Sequence, residues 1–124
     1  MNSSGINTSR WTHDLSEFTD RNAARMVDIE VFTAEYGAQP EVRSLKLQGV
    51  AFDHHGGRVE IMVRGNDHSH LTHTIDAVTH VEVLTAARGV GDILCIEHEG
   101  GRTIVRPSLS TDVAAHGNSC ALDL

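Results

Sequence analysis

The chain has 124 residues, with ten Lys+Arg set against seventeen Asp+Glu and a net charge of −7. That is one domain's worth of sequence, long enough to bury roughly two thirds of its unfolded surface without staples. The acidic balance argues against a nucleic-acid binder, which needs a clustered positive surface to displace phosphate counterions, and no apolar stretch reaches membrane-spanning length.

Aromatic residues are few: Trp11, Phe18, Phe32, Tyr36 and Phe52. The core is therefore expected to be aliphatic, built from Val, Ile and Leu. Cys95, inside Ile93-Leu94-Cys95-Ile96, reads as a small core residue, and Cys120 lies in a polar stretch. With two cysteines so placed, neither a structural disulfide nor a thiolate zinc site is expected. The opening Met1-Asn2-Ser3-Ser4-Gly5 has no positive cluster followed by an apolar run, so a cytoplasmic location is the expectation.

Residues 1–8 are small and polar and are expected to be disordered. Trp11, Leu15 and Phe18 then fall at i, i+4 and i+7, one stripe of a helix over residues 9–21. From Ala24 the period becomes twofold. Val27, Ile29 and Val31 alternate with Asp28 and Glu30 as in a strand with one face on a core. Tyr36-Gly37-Ala38-Gln39-Pro40 reads as a turn, and residues 42–52 as a second strand. The apolar parity switches within it from Leu45 and Leu47 to Val50 and Phe52, which predicts a bulge at Gly49.

Asp53 to Gly57 reads as a hairpin loop, and Val59, Ile61 and Val63 mark a third strand. Gly65 to Leu71 reads as a polar connection. Val81 and Val83 mark a fourth strand, residues 92–98 a fifth and residues 102–106 a sixth, with a tight turn at Glu99-Gly100-Gly101. Residues 108–124 have no period and read as a flexible C-terminal tail. The expected architecture is mainly β (α+β): a small antiparallel β-barrel or strongly curled meander of about six strands, with one N-terminal helix as its lid. Residues 9–107 form the single domain.

A series of short pieces across this domain resembles the bacterial domain-of-unknown-function family 5335. They are Trp11 and Phe18; Ile29-Glu30-Val31 with Gly37 and Gln39; and Leu45-Lys46-Leu47-Gln48-Gly49-Val50-Ala51-Phe52-Asp53. Further on come Asp67-His68 with His70-Leu71 and His73-Thr74-Ile75, then Leu94-Cys95-Ile96-Glu97 and Ile104-Val105. Ala77 and Val78 stand where the family tends to place a proline. The resemblance implies a compact domain and carries no catalytic motif with it.

Nine histidines are many for this length, and six of them lie between positions 54 and 80. Imidazole is the commonest neutral metal ligand, and zinc or nickel would accept three such rings. In an extended segment His68 and His70 would point to one side, and His73 could join them across a turn. Those three are the candidate metal ligands, although their spacing matches no recognised ligand pattern and solvated histidines in a connection are the plainer explanation. Asp53 with His54, or Asp67 with His68, could be drawn as acid–base dyads. Neighbours on one chain rarely face each other, so no catalytic residue is assigned. Trp11 on a helical stripe reads as core.

The function expected from this pattern is a non-catalytic binding or adaptor module, with a protein partner or self-association as the partner class. The alternatives are a histidine-based divalent-metal-binding protein and a small enzyme using Asp53, His68 or His70 as acid–base groups. No resident cofactor is expected beyond zinc or nickel in the metal-binding case.

Overall fold

The computed structural model describes residues 8–65, 67–85 and 91–108. Both expected end segments fall outside these residues, apart from Thr8 and Ser108. The elements are α1 (Thr8–Asn22), β1 (Met26–Thr33), β2 (Gly37–Asp53), β3 (Arg58–Arg64), β4 (His70–Ile75), β5 (Val78–Leu84), β6 (Ile93–His98) and β7 (Gly101–Pro107). The strands form one antiparallel sheet in the order β4-β3-β2-β1-β7-β6-β5, curled into a half-barrel. The expected curled sheet with one helix is what the chain forms, but the expected turn over Tyr36–Pro40 is not: Gly37–Pro40 already belong to β2, paired with Thr33–Glu30 of β1. The strand beyond the expected set is β4, which the sequence reading had partly absorbed into a polar connection.

The helix buries Trp11, Leu15, Phe18 and Asn22, which is the i, i+4, i+7 stripe extended by one more turn. It packs into the hollow of the sheet against Val27 and Ile29 of β1, Val59, Ile61 and Val63 of β3, and Leu94 and Ile96 of β6. Trp11 is 6% exposed and meets Phe52 edge-on, with ring centroids 5.4 Å apart. The alternate residues of β6 and β7 point to the other face. Cys95 and Ile104 form a second, smaller cluster there with Phe32, Leu84 and Ile93.

The helix ends at a left-handed residue, Ala24, with φ +72°. This turns the chain directly into β1. The expected bulge is present: the register between β2 and β3 shifts between Leu47 and Gly49. At the β6–β7 turn, Gly101 has φ +150°, and a Cβ there would collide with the Phe32 carbonyl. Only glycine lets β7 approach β1 this closely.

The first half of β2 pairs with β1 and the second half with β3. Where β1 leaves β2, the helix takes over that flank. Ala24 N–H donates to the Leu47 carbonyl, and Leu47 N–H donates to the Arg25 carbonyl. The Thr19 hydroxyl accepts from Val50 N–H at 3.0 Å and lies 3.2 Å from the Val50 carbonyl. A side chain thus does at Val50 what a neighbouring strand would otherwise do.

Candidate functional site

The three candidate metal ligands are not brought together. His68 lies in the β3–β4 turn with φ +68°. His70 opens β4, exposed, with Nδ1 2.9 Å from Gln48 Oε1. His73 is three residues further along the same strand. Side chains alternate along a strand, so residues three apart face opposite sides. His73 pairs with Ile61 and therefore faces the hollow, while His70 pairs with Arg64 and faces outward. Among the described residues, no group of three or more His, Cys, Asp or Glu side chains is disposed to hold a metal ion.

His73 instead shares the inner face with His98 of β6, close enough for its charge to disfavour a proton there. Burial is the larger cause, and together they hold His98 below the ordinary histidine value. His98 Nε2 sits 3.0 Å from the hydroxyl of buried Thr103. The sequence reading missed this association because the two imidazoles come from strands at opposite flanks of the sheet. The parity of Leu94 and Ile96, which puts His98 inward, was the signal available.

The drawn dyads do not form. The Asp53 carboxylate accepts the His55 N–H at 2.9 Å, closing the hairpin loop, and this holds its pKa below the usual value. His54 turns the other way. Its Nε2 lies 3.0 Å from the Thr12 hydroxyl, and its ring stands edge-on to Phe52. Asp67 accepts the Ser69 hydroxyl at 2.6 Å and the Ser69 N–H at 3.1 Å, which lowers its pKa likewise. Both aspartates are turn-forming groups.

The buried polar cluster lies elsewhere. The Asp92 side chain is 2% exposed and receives Arg21 Nε at 2.7 Å and a second Arg21 nitrogen at 3.0 Å. Buried Asn22 donates to Asp92 Oδ2 at 3.0 Å and to the Phe18 carbonyl at 2.8 Å, and accepts the Asp92 N–H. The forked pairing raises the Arg21 pKa. This network fastens the end of α1 to the start of β6.

Cys95 is a buried core residue as expected, but it is disulfide-bonded rather than a free thiol, which corrects the expectation that no structural disulfide forms. Its partner lies outside the described residues.

Open cavities lined by described residues flank these elements. One of about 280 Å³ lies between α1 and β5, lined by Arg10, Asp14, Glu17 and Val83. One of about 270 Å³ lies between α1 and β2, lined by Thr12, Ser16, Thr19 and Phe52. One of about 320 Å³ lies at Phe32, Glu97 and Arg102. None of the three is lined by Asp53, His68, His70 or His73.

What the fold leaves open is a strand edge. Strands β4 and β5 end the sheet. The β5 edge is protected in two ways: Glu82 sits mid-strand, and its pairing with β6 is irregular between Val78 and His80. The β4 edge has none of these protections. Its sequence, His70-Leu71-Thr72-His73-Thr74-Ile75, carries no Lys, Arg, Asp, Glu or Pro. Five of its residues are exposed or half-buried, and Leu71 is 49% exposed.

Among the described residues this is a helix-filled antiparallel half-barrel whose terminal strand β4 carries no charged residue and no proline. The model of the family of unknown function DUF5335 matches residues 2–113, and the chain belongs to that family. No curated protein and no solved structure matches it.

Proposed function

We propose that the domain is a non-catalytic binding module that receives an extended peptide segment along the free edge of β4. The observation that carries this reading is the uncharged terminal strand β4, which has no strand paired to its outer edge among the described residues, with Leu71 49% exposed. An added strand is held by main-chain hydrogen bonds, and its alternate side chains supply specificity. The inward-facing row offers Leu71 and His73 for that purpose, and the outward row offers His70, Thr72 and Thr74. The turn-bound Asp53 and Asp67 support the non-catalytic half of the reading.

Panning a random-peptide phage library against the domain tests this. Enriched sequences should be β-forming, and their synthetic peptides should slow amide hydrogen exchange at His70–Ile75. Peptides that protect another region, or a library with no enrichment, would contradict it.

The reading also takes the protein to be bacterial and cytoplasmic. In support, no helix among the described residues is long and apolar enough to cross a membrane. The bonded sulfur of Cys95 weighs the other way, since disulfides persist mainly in oxidising compartments. Cell fractionation with an antibody against the native chain distinguishes the two.

A further inference from the structure

We infer that the strand received by β4 is the β4 of a second copy of this chain, paired antiparallel about Thr72. The inference rests on the edge-docking reading above and names its occupant.

The argument begins with symmetry. Two identical antiparallel strands related by a two-fold axis normal to the sheet pair residues of equal parity, because directly opposed residues share a face. The exposed run of β4 is His70–Thr74, since Ile75 is buried at 4% and tied into the core. The centre of that run is Thr72. The axis then sets Thr72 against the partner's Thr72, Leu71 against the partner's His73, and His70 against the partner's Thr74.

Every one of these pairs is compatible. Facing threonines can hydrogen-bond. The half-exposed Leu71 gains an imidazole face to cover it, twice over by symmetry. His70 gains a hydroxyl. No like charges oppose each other along the strand, because none of its six residues is ionic when the histidines are neutral. The net charge of −7 works against association, but at physiological salt the screening length is about 8 Å. The edge itself then decides the outcome.

The test is sedimentation equilibrium of the full chain at neutral pH and physiological salt, from about 1 to about 200 μM, the range in which weak pairing at small interfaces is read. The weight-average mass should climb from 13.5 kDa toward twice that value. Thr72→Lys places two like charges directly opposite across the axis and should raise the dimer dissociation constant about fivefold or more. His80→Lys, on the opposite edge strand, should leave it unchanged. Circular dichroism and melting of T72K should match wild type, which separates a lost interface from a lost fold.

A wild type that stays at 13.5 kDa throughout, or a T72K variant that dimerises as wild type does, would overturn the inference. So would an H80K variant that is as defective as T72K. None of these results bears on the peptide selection, so failure of the second copy as occupant is distinguishable from failure of the edge itself.

Discussion

Ala24 is an alanine where the backbone asks for glycine. With φ +72° it occupies the left-handed region, where a Cβ crowds the following carbonyl. The residue is exposed and no packing of its methyl group offsets that strain. Ala24→Gly should therefore stabilise the domain by about 0.5–1 kcal/mol, the reverse of the usual effect of a new glycine. Urea denaturation midpoints would show it. At Asp92 the expectation runs the other way. Asp92→Ala strips buried Asn22 of the carboxylate acceptor of its side-chain N–H and removes the forked seat of Arg21, while the main-chain N–H of residue 92 still donates to Asn22. A loss of about 2–4 kcal/mol is expected in the same assay.

His98 gives the domain a specific acid sensitivity. Its folded-state value is held below its unfolded value of 6.5, chiefly by burial and then by His73. The unfolded chain therefore binds the proton more readily than the folded one. The stability linked to this group is fully present above that value and is lost as pH falls below it. Asp53 and Asp67 are also depressed, but from 3.8, so their loss comes in a separate, more acidic window. Melting temperature should begin to fall just below pH 6.5, and His98→Gln should flatten that first decline and leave the acidic one in place. An unchanged first decline in H98Q would assign it to another histidine.

At the scale of elements, what could be read from the sequence followed from how clean the period was. The stripe of Trp11, Leu15 and Phe18 announced the helix, and the alternation in β1, β3 and β6 announced those strands. The parity switch across Gly49 announced the bulge. β4 was partly hidden because its inward row is Leu71, His73 and Ile75 while its other residues are polar. Only two of six positions are aliphatic, so the alternation is between polar and weakly apolar. The same polarity made His68, His70 and His73 look like one cluster, when the pleat separates His70 from His73. Asp92 was hidden for a different reason: nothing local marks a carboxylate whose partners, Arg21 and Asn22, lie some seventy residues earlier.

The α1–β2 seam was also invisible, since a lone threonine on a helix surface carries no pattern. Thr19→Val keeps the shape and removes the hydroxyl from Val50 N–H. A cost of about 1–2 kcal/mol is expected, measured by thermal or urea unfolding, because a part-buried backbone donor is left without its partner.

Over the whole molecule, one long strand changes partners midway and a helix closes the flank this exposes. The sheet curls, its concave side fills with aliphatic side chains and the helix stripe, and the polar network at Asp92 fixes the helix's far end. Among the described residues, main-chain edges are occupied by a neighbouring strand or by Thr19 at Val50, and the two terminal strands, β4 and β5, each leave an outer edge unpaired, of which only that of β5 carries a charged residue. The edge of β4 stands apart, and the functional reading depends on that difference.

Native-state amide hydrogen exchange of the isolated chain, at concentrations too dilute for association, tests this most directly. In an open edge strand the amides facing the neighbouring strand are protected and those facing outward are not, so protection alternates with period two. The account predicts that alternation across His70–Ile75, beside continuous protection across Arg58–Arg64 of β3. Continuous protection across β4 in the dilute chain would mean that its edge is already covered, and would contradict the proposal that β4 awaits a partner strand.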